Sequence, residues 1–134
     1  MSNDLKFYIN GEWVQSDSNE LIDVINPANE EVIGQVTAGT KKDIDDAVTA
    51  ASEAFISFSK STQKERIELL KKIIQEYENR YKDFVEVITK EMGAPTWLSE
   101  RAQANTGLIN FKETLEALEA VSYTHLRAHE TLIY

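Results

Sequence analysis

The first third of the chain contains short stretches in which apolar and polar residues alternate, which is the period of a β-strand. Residues 7–9 and 12–14 form one such pair, and Asn10-Gly11 lies between them. This dipeptide favours a type I′ turn because both of its residues tolerate positive φ. The pattern therefore predicts a β-hairpin near the start of the chain.

A second pair of apolar stretches, residues 21–25 and 31–36, flanks the run Asn26-Pro27-Ala28-Asn29. Pro27 biases the preceding residue away from helical backbone and marks a bend. The strands on either side are short and partly polar, which is typical of a surface ribbon rather than of a buried parallel sheet. We therefore predict a second hairpin.

From residue 40 onward the apolar residues recur with the period of an amphipathic helix. Thr40 with Asp43, and Thr62 with Glu65, are capping-box pairs that predict two helix starts. The pattern contains three successive apolar stripes. They comprise Ile44, Ala47, Val48, Ala51, Phe55 and Phe58; Ile67, Leu70, Ile74, Tyr77 and Tyr81, continued by Phe84, Val85 and Ile88; and Leu98, Ala102, Leu108, Phe111, Leu115 and Leu118.

The residues between these stripes indicate where the helices end. We expect a soft break near Asn79 and a sharper one at Gly93, which can supply a left-handed C-terminal cap. Pro95 can occupy the first turn of the next helix. Gly107 lies inside that last helix at a cost of ~1 kcal/mol relative to alanine. The helix is expected to end near Ala120.

Composition and charge narrow the possible partners. The formal net charge is −9, so nucleic acid and anionic membrane surfaces are disfavoured. No apolar run approaches the roughly 20 residues of a membrane helix, and residues 1–6 lead into no signal-peptide stretch. We expect a cytoplasmic protein with no nucleic-acid and no membrane partner. The chain contains no cysteine, which excludes disulfides, thiolate metal sites and thiol nucleophiles.

The order of several short motifs resembles the opening of the aldehyde dehydrogenases, over roughly Leu5 to Leu118. The resemblance rests on residues 7–13, residues 24–36, the alanine-rich helix 43–55, Glu65-Arg66-Ile67, and the run Glu91-Met92-Gly93-Ala94-Pro95. Ala94 departs from the family pattern, since many members carry lysine there. This departure leaves the substrate subgroup open.

The resemblance implies an α/β fold in which N-terminal β-hairpins are followed by amphipathic helices. Residues 1–120 would form an incomplete N-terminal part of the family's cofactor-binding, Rossmann-like domain. The parent enzyme would be about four times longer, would oxidise an aldehyde to a carboxylic acid with NAD or NADP, and would form a homodimer or homotetramer. Its cysteine nucleophile, oxyanion-holding asparagine and water-activating glutamate would all lie beyond this sequence.

We therefore predict no catalytic, cofactor-binding or metal-binding residue in this chain. The five glycines, at positions 11, 34, 39, 93 and 107, form no Gly-x-Gly-x-x-Gly turn between a strand and a helix. The family's phosphate-facing lysine is also missing. The chain by itself is expected to be truncated and inactive and to bind no nicotinamide cofactor.

The resemblance stops after Ala120. Residues 121–131 resemble the translation of a transposase adapter used in sequencing libraries, so residues 121–134 are expected to be a non-native tail. His125 and His129 stand four apart and could share a helix face as metal ligands. A metal site is not expected, because the nearby Glu130 lies one step off that face.

Other clusters have ordinary interpretations. Glu113, Glu116 and Glu119 are interpreted as a solvated helix face. The aspartates at positions 43, 45 and 46 favour the N-terminal dipole of their helix rather than calcium. Trp13 and Trp97 are interpreted as core or subunit packing rather than ligand stacking.

The competing hypothesis is a small acidic helical protein-interaction module whose last helix binds a partner. If the chain is instead part of an enzyme, its helices were shaped to cover a sheet encoded elsewhere. Exposed apolar surface, marginal stability and self-association would follow.

Overall fold

The first hairpin joins two short antiparallel strands, β1 (Lys6–Ile9) and β2 (Glu12–Gln15). The computed structural model describes residues 3–121. Asn10 and Gly11 have φ values of 53° and 82°, so both turn residues adopt the left-handed backbone that a type I′ turn requires. The predicted hairpin is confirmed.

The second hairpin pairs β3 (Leu21–Asn26) with β4 (Glu31–Thr37) in antiparallel register. The register shifts at a bulge between Val24 and Ile25. In the turn, the side-chain oxygen of Asn26 accepts a 2.9 Å hydrogen bond from the Ala28 backbone N–H. Each hairpin forms its own two-stranded sheet. The prediction of surface ribbons is therefore confirmed as well.

Two long helices follow, α1 (Lys41–Phe58) and α2 (Gln63–Asn79). Both predicted capping boxes are present. The Thr40 side chain accepts from the Asp43 backbone and the Thr62 side chain from the Glu65 backbone, while each acidic side chain accepts from its cap in return. These pairs satisfy backbone N–H groups that have no partner within a helix.

Residues 81–120 are mostly helical, with a break after Met92 and an irregular segment before the last helix. Helix α3 (Tyr81–Met92) begins after Arg80, which interrupts the helix where the soft break was predicted, and ends at Gly93 with φ 64°. A short turn, α4 (Thr96–Leu98), then leads through a π-helical segment (Ser99–Ala104) into α5 (Asn105–Ala120). Pro95 lies one residue before α4 rather than inside its first turn, and the π segment was not predicted.

The core is small and lies among the later helices. In the described part of the chain, the buried apolar residues are Ile74 on α2, Val85 on α3 and Ala104 in the π segment. Helix α2 packs against α5, and α3 packs against the π segment and also contacts β3. Helix α1 has no buried residue and touches the first hairpin through β1. The structure thus consists of a helical bundle, residues 63–121, with the hairpins and α1 beside it.

Candidate functional site

Several titratable side chains of residues 3–121 form exposed ion pairs. Within residues 3–121 no group of three or more histidine, cysteine, aspartate or glutamate side chains could hold a metal ion. Lys41 pairs with Asp45 at 2.5 Å, and Lys71 pairs with Glu119 at 3.0 Å. Asp45 and Glu119 lie on the surface. This agrees with the interpretation of the aspartates as residues at a helix N-terminus and of the glutamates as a solvated helix face. His125 and His129 lie outside the described residues.

The two tryptophans lie on the surface of the described chain. Trp13 is 51% exposed, and its ring centroid lies 5.2 Å from that of Tyr8 across the first hairpin. Trp97 is 63% exposed on α4. Neither residue belongs to the core of residues 3–121. The prediction that they pack in a core is therefore wrong for this part of the chain, and packing between subunits stays a prediction.

A groove lies between α3 and the segment that follows it. It encloses about 300 Å³ and is lined by Tyr81, Val85, Thr89 and Thr96, among others. The Tyr81 hydroxyl donates to the Glu100 backbone carbonyl, and Lys90 pairs with Glu86 at 2.6 Å. That ion pair lowers the pKa of Glu86. The groove thus offers a tyrosine hydroxyl and a carboxylate that already have partners.

The carboxylate of Asp43 joins the start of α1 to Ser16, the residue that follows the first hairpin. Its Oδ2 accepts hydrogen bonds from the Ser16 hydroxyl at 2.7 Å, the Thr40 backbone N–H at 2.8 Å and the Thr40 hydroxyl at 2.7 Å. Ser16 is buried although it follows a surface strand. The Ser16 bond, followed by those from Thr40, lowers the pKa of Asp43. This arrangement stabilises a carboxylate and makes it a structural anchor.

A second anchor, Tyr77, lies inside the bundle. Its ring stacks on Phe84 with centroids 4.3 Å apart and lies 5.9 Å from Phe111, so it contacts α3 and α5 from α2. Its hydroxyl donates to the Ala104 backbone carbonyl at 2.9 Å. Sequence analysis assigned Tyr77 to an apolar stripe. It did not predict this hydrogen bond, because no local pattern signals it.

Polar side chains also connect α2 to α5. Lys71 pairs with Glu119, and Lys112 pairs with Glu78 at 2.6 Å. The Gln63 side-chain amide donates to the Leu118 carbonyl and to the Val121 carbonyl. Exposed ion pairs contribute little individually, but these contacts lie at both ends of one helix pair and fix its register. These polar contacts supplement the packing of α2 against α5.

The most conspicuous surface feature is one face of α1. Ile44, Val48 and Phe55 follow the i, i+4, i+11 spacing of a single helix face, and they are 61%, 59% and 65% exposed. We call these three residues the α1 stripe. Its members were predicted to face a core, yet within residues 3–121 no core covers them. A contiguous exposed apolar face of this kind is typical of a surface that binds another polypeptide.

No helix among residues 3–121 combines the length and the apolar character that crossing a membrane demands.

Comparison with known proteins agrees with the motif order. The profile described as the aldehyde dehydrogenase family matches residues 13–133. This match includes residues 121–133, for which the sequence predicts a non-native tail, and that assignment stays a prediction. A putative aldehyde dehydrogenase of Staphylococcus haemolyticus is 50% identical over 127 residues. One of Staphylococcus aureus (strain USA300) is 49% identical over 128 residues.

The chain spans about a quarter of these relatives. The match covers 95% of this chain and 27% of the S. haemolyticus protein, and 96% and 27% for S. aureus. Among solved structures, an aldehyde dehydrogenase of Bartonella henselae matches with a TM-score of 0.87 and 34% identity, over 91% of this chain and 26% of that one. Aldehyde dehydrogenase C of Pseudomonas syringae matches with a TM-score of 0.86 and 30% identity, over 90% and 25%.

Proposed function

Because this chain belongs to the aldehyde dehydrogenase family, we propose that it forms the N-terminal part of an enzyme that oxidises an aldehyde to a carboxylic acid. The electron acceptor of that enzyme is NAD or NADP. Residues 1–120 supply the beginning of its cofactor-binding domain. The role of this part is structural, and the reacting groups are supplied by the rest of the enzyme.

The close structural match to one quarter of the Bartonella henselae enzyme carries this proposal. The hairpins and helices of this chain occur there within a longer polypeptide. The Pseudomonas syringae neighbour was solved with NAD⁺ and octanal, a dinucleotide and an aldehyde. PnpE, another neighbour at 26% identity, was solved with nicotinamide adenine dinucleotide. These ligands support the cofactor and the substrate class that we propose.

The described residues contain no glycine-rich dinucleotide turn. The glycines of the chain form no Gly-x-Gly-x-x-Gly sequence, and Gly39 is the one glycine in the loop that joins β4 to α1. Nor can the chain supply the thiolate that the resemblance implies, because it contains no cysteine. We therefore assign no step of hydride transfer or nucleophilic attack to a residue of this chain.

A chimera tests the proposed function. Residues 1–120 of this chain replace the matching quarter of the Staphylococcus haemolyticus relative, and the intact relative is the control. We expect the chimera to reduce NAD or NADP in the presence of simple aldehydes. If the intact relative turns over an aldehyde while a soluble, folded chimera does not, the proposed role of this part is wrong.

The chain alone provides the complementary measurement. Mixed with NAD, NADP and a panel of aldehydes, it should produce no reduced nicotinamide. Steady turnover by the purified chain would show that its own residues carry the chemistry, contrary to the structural role proposed for them.

A further inference from the structure

Asn10-Gly11 is the one Asn-Gly dipeptide in the sequence, and both of its residues are exposed in the turn of the first hairpin. In such a dipeptide the backbone nitrogen of glycine can attack the side-chain amide of asparagine, because glycine has no Cβ atom to hinder the approach. The two residues lie between the paired residues Ile9 and Glu12, outside the strand ladder. The turn therefore combines a reactive sequence with an accessible position.

The surroundings of the turn leave this attack unobstructed. A Cβ atom built at Gly11 would meet no other atom within 4 Å. Within residues 3–121 the Asn10 side-chain amide makes no hydrogen bond that would hold it away from the backbone. The turn borders a cleft beside Ala50 and Ala54 of α1, whose side chains offer no hydrogen-bonding group. Water can therefore reach both reacting residues.

The asparagines of the second turn lack this combination. Asn26 precedes Pro27, whose backbone nitrogen carries no proton and cannot make the attack. The Asn29 amide donates to the Glu31 carboxylate at 2.7 Å, and its Oδ1 atom accepts from the Glu31 backbone N–H at 3.2 Å. Asn29 is followed by Glu30, whose side chain hinders the nitrogen. These two asparagines are therefore internal controls.

The first hairpin is short enough for its turn to reach the geometry of the attack. Its strands have four residues each and form a separate two-stranded sheet. A hairpin of two strands is only marginally stable by itself. The hydrogen bond that attaches it to the start of α1 lies beyond β2, from Ser16 to Asp43, at the end of the hairpin opposite the turn.

We propose that Asn10 is a site of hydrolytic deamidation, which converts the turn to aspartate or isoaspartate. The Gly11 backbone nitrogen loses its proton and bonds to the Asn10 Cγ atom, and the Cγ–Nδ2 bond breaks to release ammonia. Water then opens the resulting succinimide at either of its carbonyl groups. Water is consumed and ammonia is released, so the step requires neither an oxidant nor a reductant.

Isoaspartate in the turn should loosen the hairpin. It routes the backbone through the former side chain and so lengthens the turn, whereas a type I′ turn requires two residues of ordinary length with positive φ. The pairing of Ile9 with Glu12 should weaken, and the Ser16–Asp43 hydrogen bond beyond β2 should weaken with it. Either product also adds a negative charge to a chain whose net charge is already −9.

Ageing of the full chain in mildly alkaline buffer tests the site. Peptide mass spectrometry follows the replacement of the side-chain NH2 by OH, and an isoaspartate-specific methyl-transfer assay detects the isomer. We expect Asn10 to convert at least about tenfold faster than Asn29 while circular dichroism shows the chain to be folded. Equal rates at the two positions would overturn the proposal.

A parallel sample in urea gives the rate of the unfolded chain. We expect Asn10 to react in the folded chain no more than about tenfold more slowly than in urea. If Asn10 stays intact in the folded chain and converts in urea, the turn protects it and the proposal is wrong. Should the chain precipitate during ageing, the chimera with the Staphylococcus haemolyticus relative carries the same turn and is measured instead.

Hydrogen exchange of the β1 and β2 amides measures the effect on the hairpin. The aged chain should exchange these amides faster than the fresh chain. Asn10→Gly removes the reactive amide and keeps a residue that tolerates positive φ, so ageing should leave its exchange unchanged. Equal acceleration in this variant would contradict the loosening assigned to Asn10. None of these measurements involves aldehyde oxidation, so their outcome is independent of the proposed function.

Discussion

The Tyr77 hydroxyl donates a 2.9 Å hydrogen bond to the carbonyl oxygen of Ala104, a fully buried residue where the π segment passes into α5. Hydrogen bonds in a π segment connect residues five positions apart, which changes which carbonyls have a partner inside the helix. At this position the Tyr77 hydroxyl, from α2, donates to one of these carbonyls. Burial, with a smaller contribution from the nearby Tyr81, raises the pKa of Tyr77, so the hydroxyl remains a proton donor. One side chain thus links α2 to the irregular part of the last helix.

Removing this hydroxyl should destabilise the bundle. We expect Tyr77→Phe to lower the free energy of unfolding by about 1 kcal/mol, because it removes this hydrogen bond while retaining the aromatic ring. Urea denaturation followed by circular dichroism measures the change. Tyr8→Phe is the matched control, since Tyr8 is 63% exposed on the first hairpin. Equal effects of the two substitutions would contradict the role assigned to the Tyr77 bond.

The position of Tyr77 also explains why glycine occupies position 107, in the interior of α5. A Cβ atom at Gly107 would lie 2.5 Å from the Tyr77 hydroxyl oxygen and 3.1 Å from its Cζ atom. Alanine in a helix interior is ordinarily favoured over glycine by roughly 1 kcal/mol. We expect Gly107→Ala to destabilise the chain instead, because the ring must shift and the hydrogen bond to Ala104 is strained.

A double-mutant cycle checks this explanation. In the Tyr77→Phe background the nearest clashing atom is gone, so Gly107→Ala should cost less there than in the natural sequence. Urea denaturation of the four proteins gives the interaction free energy. Strictly additive effects would show that the hydroxyl is not the reason for the glycine.

The stability of the chain should depend on pH through Asp43. Hydrogen bonds from Ser16 and Thr40 lower the pKa of its carboxyl in the folded state. A carboxyl with a lowered folded-state pKa stabilises the fold above its ordinary pKa of about 3.9. That contribution is lost as the pH falls through the folded-state pKa. We therefore expect Asp43→Asn to reduce the loss of stability below about pH 4.

Urea denaturation at a series of acidic pH values provides the measurement. Asp46→Asn removes the same charge from the same end of α1 without altering the capping box, so it is the control. The natural sequence and Asp46→Asn should lose stability in parallel as the pH falls, whereas Asp43→Asn should show a shallower slope. Identical slopes for all three proteins would remove Asp43 as the source of the pH dependence.

The parts of the fold that sequence predicted are those encoded locally. Asn10-Gly11 specifies its own turn, and Thr62 with Glu65 specifies its own helix start, so both are readable from neighbouring residues. The hydrogen bond from Tyr77 to Ala104 was missed because the two residues lie 27 positions apart, a separation at which periodicity carries no information. Contacts between residues far apart in the sequence determine such a bond.

The difference between local signals and long-range contacts applies to function as well. The lack of cysteine is visible in the sequence and excludes thiolate chemistry at once. The apolar character of Val48 and Phe55 was visible too, but its consequence was not, because the pattern of a helix shows that a face is to be buried without showing what buries it. The structure adds that this face is exposed within residues 3–121.

Gly93 lies where α3 ends against the second hairpin. Its φ of 64° is unfavourable for a residue with a side chain, and a Cβ atom there would lie 2.8 Å from the Ala28 backbone nitrogen and 3.0 Å from Pro27 Cγ. Because backbone cannot move aside as a flexible side chain can, Gly93→Ala combines backbone strain of about 1–2 kcal/mol with a steric clash. We expect it to lower the free energy of unfolding by at least about 2 kcal/mol and to separate the hairpin from α3.

Gly34 on β4 provides the control, since it has no positive φ and a Cβ atom added there would meet no other atom within 4 Å. Gly34→Ala should therefore leave stability nearly unchanged. Hydrogen exchange of the β3 and β4 amides, measured beside urea denaturation, locates the effect, because loss of the contact at Pro27 should accelerate exchange in the hairpin before the α2–α5 pair opens. If Gly93→Ala and Gly34→Ala unfold at the same urea concentration, the close approach of α3 to the hairpin does not determine stability.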